Sequence, residues 1–369
     1  MKILELCLSR GFGGLELYVD KVARHFASTA HDCLAVVYPD TLLDKRLREA
    51  GSVPHYLRVR NRHLPLLAAR KLAKLIDANG IDVIHMHWGK DLPLAVLARR
   101  FARRPVRLIY TRQMAITRPK FDVFHRFLYR HVDSYVCITR KLQEDARGFL
   151  PMPAEDVRLL YYGVADPGPV DAETCRRFAA EAGFDEGVFR IGLFGRIEHG
   201  KGQHLLLEAV DTLNREGRDI KAVLIGHPMT QAYLDKLLQS ARERGLEKHF
   251  SHYGFHDNPQ SIMGCFDVVV LATYAETFGL VLIEAMRAGT AVVGTNAGGV
   301  PEIIRDGETG LLFEPGDAAG LAAALRRLQE DVAFREALAA QGKAFADTQF
   351  SEERHFVELE KILAGEKQG

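Results

Sequence analysis

Cysteine is scarce in this chain. Five occur in 369 residues, and Cys7, Cys33, Cys137, Cys175 and Cys265 are scattered, with no two at the close spacing of a metal knuckle or a redox pair. That pattern excludes a zinc ribbon or a dithiol motif and predicts small buried thiols in a reducing compartment. Low-complexity tracts are absent, and no internal repeat is evident, which leaves open two domains of one architecture. No apolar window reaches bilayer-spanning length. The opening Met1-Lys-Ile-Leu-Glu-Leu-Cys-Leu8 lacks the long apolar core and cleavage-type ending of a signal peptide, so a cytoplasmic location is expected.

Net charge is also nearly absent, at +1, but the figure hides an asymmetry. Residues 1–166 hold 28 Lys+Arg against 17 Asp+Glu, and residues 167–369 hold 21 against 31. A basic first half points to an anionic partner, such as a membrane surface or a phosphate-bearing molecule. The plain alternative is a solvated basic surface. With 47% hydrophobic and 26% charged residues the chain is globular, and its length suits two domains.

Short apolar runs alternate with amphipathic stretches. Strands are predicted near residues 3–8, 34–38, 83–86, 106–110, 134–138 and 157–161, with helices between them. The pattern lapses over 162–187, where Gly163, Pro167, Gly168 and Pro169 suggest a linker ending in a helix at 172–182. Alternation restarts with strands near 189–194, 222–225, 250–253, 268–271, 291–294 and 310–313. The fold class is therefore α/β, with two Rossmann-like, doubly wound parallel sheets. Two such domains would face an interdomain cleft, with ligands beyond the carboxyl ends of the strands.

The segment Asp267 to Met286 carries the strongest signal. A strand ends near Leu271, a loop holds Glu276 and Thr277, and a helix begins near Gly279. From Leu280 to Met286 only Glu284 is polar, so the helix should be buried and its carboxylate must meet a basic side chain or ligand hydroxyls. Backbone N–H groups at Phe278, Gly279 and Leu280 would favour a diphosphate, and Gly279 would let it approach. A structural ion pair for Glu284 and a plain loop for Glu276 are the alternatives. In Ile191-Gly-Leu-Phe-Gly-Arg-Ile-Glu-His-Gly-Lys-Gly202, Arg196 and Lys201 follow Gly195 in a glycine-rich loop, where they could neutralise a departing diphosphate. Ser9-Arg-Gly-Phe-Gly-Gly-Leu-Glu16 half-matches a dinucleotide fingerprint, with Glu16 where the third glycine would stand.

Together these elements resemble the retaining GT-B glycosyltransferases of family 4 over nearly the whole chain. The glutamate pair with seven residues between, the Gly-Arg…Lys-Gly loop, the N-terminal Gly-Gly-x-Glu and Asn296-Ala-Gly-Gly-Val-Pro-Glu302 occur in order. The resemblance implies that Glu276 contacts the donor sugar and Glu284 the ribose. Arg196 and Lys201 would hold the diphosphate, with Gly13 and Gly14 facing its phosphates. The base would lie near Gly226, His227 and Phe255. It implies front-face transfer with retention, a nucleotide sugar as co-substrate, no cofactor and no metal. It also places 350–369 with residues 1–165 in an acceptor-binding domain, leaving 166–349 to bind the donor.

One departure concerns Thr111-Arg-Gln113, where relatives commonly carry Thr-x-His. Gln113 can bond a sugar hydroxyl but cannot titrate. His87, in Val83-Ile-His-Met-His-Trp88, is an alternative polarising group, and His85 a weaker one; the structural alternative is one buried histidine and one at the surface. Arg112, Arg118, Lys120, Arg126 and Arg130 alternate with Met114, Ile116, Phe121, Phe124 and Phe127. That pattern suits a glycan or lipid-linked acceptor at an anionic membrane, on the cytoplasmic face. Arg-coated amphipathic helices are the competing reading. Nucleic acid is disfavoured because no recognition motif accompanies the charge. The rival functions are a nucleotide-sugar 2-epimerase of the same architecture and an NAD-dependent dehydrogenase.

Overall fold

The structure, a computed structural model, describes residues 1–366 and divides them into two compact units. Unit 1 runs from Met1 to Tyr161 and resumes at Phe356; unit 2 is Tyr162–His355. The expected divisions lay at 165 and 350. The difference arises because Val164 bridges to Ser351 and its carbonyl accepts from Arg287, which ties the supposed linker into unit 2. Residues 367–369 of the segment assigned to the first domain lie outside the described residues.

Unit 1 has seven parallel strands: β1 (Lys2–Cys7), β2 (Asp32–Val37), β3 (His55–Tyr56), β4 (Val83–Met86), β5 (Arg107–Arg112), β6 (Ser134–Cys137) and β7 (Val157–Leu159). Their order is β3-β2-β1-β4-β5-β6-β7. Unit 2 has β8 (Phe189–Phe194), β9 (Ile220–Ile225), β10 (Phe250–Gly254), β11 (Val268–Leu271), β12 (Ala291–Thr295) and β13 (Leu311–Phe313), in the order β10-β9-β8-β11-β12-β13. Both are doubly wound sheets whose order reverses once, between β1 and β4 and between β8 and β11. The loops leaving those four strands therefore flank the crevices where such sheets bind ligands.

Continuous apolar runs form these strands because helices cover both faces. Val268-Val-Val-Leu271 is buried throughout, as is Val83-Ile-His-Met86. The edge strand β3 and the helices Leu42–Glu49 and Val123–Tyr129 escaped the sequence reading. The last of these is short, so Arg112–Asp122 is mostly loop rather than the coated helix of the competing reading.

Cys175 and Cys265 form a disulfide across 90 residues, with Cα atoms 5.1 Å apart. This corrects the expectation of five reduced thiols: the helix Ala172–Ala182 brings Cys175 beside the start of the β11 segment, a proximity that sequence spacing does not reveal. Cys7, Cys33 and Cys137 are free.

Candidate functional site

In unit 2 the loops after β8 and β11 are stitched together. Thr273 donates its hydroxyl to the Gly200 carbonyl at 3.0 Å, and the Tyr274 N–H donates to the same oxygen at 3.1 Å. This brings Lys201 to Glu276, with Nζ 2.7 Å from Oε2, while Oε1 accepts from the Thr277 N–H at 3.1 Å. Both side chains remain about one-fifth exposed, at 23% and 19%. A third loop supports the pair from behind. Gly298 has φ of +61°, and a Cβ there would lie 1.8 Å from the Glu276 carbonyl oxygen, so only glycine fits. Gly299 N–H donates to that same oxygen at 3.1 Å. Asn296–Glu302 is thus the seat of Glu276.

Unit 2 also holds a cavity of about 360 Å³ lined by Gly195, Arg196, Gly226, Phe255, Leu280 and Glu284, among others, but not by Lys201 or Glu276. Gly195 with Arg196, Gly226 and Phe255, from three separate loops, therefore share one wall with Leu280 and Glu284 of one helix, whereas Thr277, Phe278 and Gly279 do not line it. His227 and Phe255 stack with ring centroids 4.3 Å apart, forming a flat apolar side. Arg196 is well exposed and pairs with Glu198 at 3.0 Å.

The helix carrying Glu284, Leu280–Arg287, departs from the expected all-round burial. Leu282, Ile283, Ala285, Met286 and Arg287 are buried, but Leu280, Val281 and Glu284 form a partly open stripe on the cavity. Glu284 is thus a cavity-facing carboxylate and not one sunk in the core. The buried charge is Arg287, whose guanidinium pairs with Asp347 at 3.1 Å and bonds the Val164 carbonyl. The close approach expected at Gly279 is corrected in the same way. The space beside Gly279 is filled by Leu271, Ile303 and Leu282 at 3.3–3.6 Å, and Phe278 packs edge-on against Tyr162 and Phe350. Both residues are core on their side-chain faces.

In unit 1 Gly13 caps the helix Gly14–Ala27 in extended conformation. The Glu16 carboxylate curls back to within 3.9 Å of the space beside Gly11 and Gly13, whereas Gly14 is open. Across the reversal of strand order, both histidines of β4 and its end are buried, so neither is the expected surface residue. Glu5 of β1 holds them: Oε1 meets His85 Nδ1 at 2.9 Å and Oε2 meets His87 Nε2 at 2.7 Å. His85 Nε2 meets Thr111 at 2.7 Å, whereas His87 Nδ1 and both amide atoms of Gln113 have no hydrogen-bond partner among the described residues. Burial alone would raise the Glu5 carboxyl, but the adjoining His85 and His87 rings hold it down to about 2. Burial, helped by the His85 ring, pushes His87 down to about 4 against the pull of Glu5. His87 is therefore neutral at neutral pH, held with one nitrogen on Glu5 and the other offering a lone pair.

The ligand atoms of Glu5, His85 and His87 lie within 4.8 Å of one another, a donor set that could address a divalent metal. Their oxygens and three of their four ring nitrogens are already engaged in hydrogen bonds. Sequence reasoning missed Glu5, although a lone acid inside the apolar run Ile3–Leu8 was a readable signal. It also missed Asp91, buried beneath Arg62 at 3.2 Å and bonded by the Leu8 N–H at 2.8 Å, where burial raises its carboxyl to about 7. Arg112 lies in the wall of a separate cavity of unit 1, bonding Tyr110 and the carbonyls of Met114 and Ala115.

Comparison with known proteins adds two family matches in series. Residues 12–166 match the model described as Glycosyltransferase Family 4, and residues 176–345 match Glycosyl transferases group 1. The chain is 24% identical to N-acetyl-alpha-D-glucosaminyl L-malate synthase of Bacillus anthracis, covering 80% of this chain and 78% of that one. It is 27% identical to the phosphatidyl-myo-inositol mannosyltransferase of Mycobacterium tuberculosis, covering 90% and 88%. Among solved structures, HepE of Anabaena in complex with UDP superposes with a TM-score of 0.87 at 24% identity, over 99% of this chain and 100% of that one.

Proposed function

The chain belongs to the group 1, family 4 glycosyltransferases of GT-B fold, enzymes that transfer a sugar from nucleotide donors, and on that premise we propose its particular reaction. It moves a hexosyl group from a UDP- or GDP-sugar to a hydroxyl of a glycan or lipid-linked acceptor, in cell-surface polysaccharide or glycolipid synthesis. The configuration at the anomeric carbon is retained, and no metal takes part.

The observation that carries this reading is the shared wall of the unit 2 cavity. Glu284, Gly195, Gly226 and the His227–Phe255 stack surround a space suited to a nucleoside, and Arg196 stands at its edge. Glu284 accepts from the ribose hydroxyls. Lys201, released from Glu276, and Arg196 neutralise the diphosphate as the bond from the anomeric carbon to phosphate oxygen breaks. Glu276 then holds sugar hydroxyls. The acceptor oxygen forms its bond on the same face, and its proton passes to the leaving phosphate oxygen.

No helix among the described residues is long and apolar enough to cross a membrane. Peripheral contact with an anionic membrane on the cytoplasmic face fits the exposed Leu67, Met114 and Val123 near Arg118 and Arg126.

A thermal-shift panel of UDP, GDP, ADP and their sugars tests the donor site, and stabilisation by none would sink it. Product anomeric configuration by NMR tests retention, and activity that survives exhaustive chelation tests metal independence. Donor incubated alone separates transfer from 2-epimerisation. Sedimentation with anionic liposomes tests membrane contact.

A further inference from the structure

Unit 1 holds a cavity of about 640 Å³ that none of the donor-site residues enters. Its lining joins two chemistries. Trp88, Tyr110, Ile116 and Tyr135 give flat or apolar surface, and Lys90, Arg112, Arg118 and Lys120 give cations. Another lining cation, Arg62, is compensated by Asp91 at 3.2 Å. None of those four cations is ion-paired among the described residues. Arg112 spends its donors on a phenol and two carbonyls, and Lys90 lies over the Trp88 ring at 5.3 Å. The nearby Asp122 carboxylate is already bonded by the His125 ring at 2.6 Å.

The sequence brings these cations together by two routes. Lys90 sits in the loop leaving β4, whereas Arg112, Arg118 and Lys120 sit on the end of β5 and the irregular segment after it. Partial burial, joined by the like charges of Arg118 and Arg112, depresses the pKa of Lys120 against the pull of Asp122. Such a cluster costs free energy until an anion enters. Met114 and Phe124, both exposed, line the same cavity, and Phe121 and Val123 are exposed beside them. An anion alone would make no use of this apolar rim.

We propose that this cavity is the acceptor site and that the acceptor carries a phosphoryl group joined to an apolar or ring-shaped body. Arg112, Arg118, Lys120 and Lys90 hold the phosphoryl oxygens, and Trp88 with the apolar rim holds the body. The word acceptor rests on the glycosyltransferase reading; the anion site itself does not.

Trp88 is the chain's single tryptophan, so its emission reports on this cavity alone. The probes are geranyl phosphate, geraniol and inorganic phosphate, titrated at low salt. Geranyl phosphate is expected to change Trp88 emission saturably, with geraniol about tenfold weaker or worse. The double variant R118Q/K120Q, altered at side chains with no ion pair, should weaken geranyl phosphate by about tenfold or more and leave geraniol unchanged. Inorganic phosphate binding as well as geranyl phosphate supports a soluble phosphorylated acceptor, and clearly weaker binding supports a lipid phosphate. Absence of a saturable response to both phosphate probes, a geraniol response equal to geranyl phosphate, or indifference to R118Q/K120Q overturns the inference. Stabilisation by UDP is measured in parallel. UDP binding without an anion response removes this inference and leaves the transferase reading; an anion response without any nucleotide binding does the reverse.

Discussion

Lys201 Nζ stands 2.7 Å from Glu276 Oε2, so the two groups assigned to the diphosphate and to the sugar neutralise each other. A donor that enters must part them, offering phosphate oxygens to the lysine and hydroxyls to the acid. Lys201→Ala removes charge stabilisation that matters most as the leaving group departs. We expect kcat to fall by roughly 10²–10³-fold with a much smaller change in UDP affinity. Steady-state kinetics paired with calorimetric titration of UDP decides the matter. A K201A enzyme with near-normal kcat removes Lys201 from the chemistry.

Glu284 and Arg287 share one short helix but differ in burial, and their alanine variants should fail differently. Glu284 borders the cavity and is partly exposed, so Glu284→Ala should leave folding stability within about 1 kcal/mol while weakening UDP by about tenfold or more. Arg287 is buried on Asp347 and the Val164 carbonyl, so Arg287→Ala should cost about 3–5 kcal/mol of folding stability. Urea denaturation and UDP titration of both variants measure the contrast. Equal stability losses would contradict this division of the helix.

Gly298→Ala tests whether the Asn296–Glu302 segment is a seat for Glu276. The added methyl would collide with the Glu276 carbonyl at 1.8 Å in a backbone conformation that already disfavours alanine. The loop must shift, and turnover should drop by at least about tenfold while unit 2 stays folded, because misplacing a positioning group by about 1 Å is that costly. Normal turnover in G298A would show that the seat is not needed.

The sequence exposed the two sheets because fully buried parallel strands are written as unbroken apolar runs, as in Val268–Leu271. It singled out the loops read as donor-binding because their chemistry is local: Arg196 and Lys201 lie five residues apart, and Glu276 and Glu284 eight. It did not expose which side of the 280–287 helix opens, since Leu280 and Val281 are as apolar as the core residues beside them. Nor did it expose partners assembled from separate strands. Glu5 meets His87 only because β1 and β4 are neighbours, and Cys175 meets Cys265 only through tertiary packing. The alternative of one buried and one surface histidine failed because His85, in a strand covered on each face, and His87, just past its end, are both buried.

The disulfide makes a quantitative expectation. Closing a loop of 90 residues by Cys175–Cys265 should stabilise unit 2 by about 4.6 kcal/mol in a chain-entropy account. The double variant Cys175→Ser/Cys265→Ser, or the reduced wild type, should lower the urea midpoint accordingly. The oxidised protein should show three titratable thiols after unfolding, from Cys7, Cys33 and Cys137. Five thiols in protein purified under oxidising conditions would mean the bond does not form.

The Glu5–His87 contact makes folding stability depend on acid in a definite window. His87 is pushed down to about 4 from its ordinary 6.5, so the unfolded chain takes up this proton at a higher pH than the folded one. Its contribution is complete above 6.5 and is lost as the pH falls from 6.5 towards 4. Glu5 is held down to about 2 from its ordinary 4.5, so its contribution is complete above 4.5 and is lost between 4.5 and 2. Other carboxylates also lose stability at low pH, and a variant must isolate the histidine. His87→Gln keeps an amide able to donate to Glu5 but has nothing to titrate. Urea midpoints at pH 7, 5.5 and 4 should fall less steeply for H87Q than for the wild type. Parallel curves would mean that His87 is protonated as readily in the folded protein as in the unfolded chain, and that burial does not hold it neutral against the pull of Glu5.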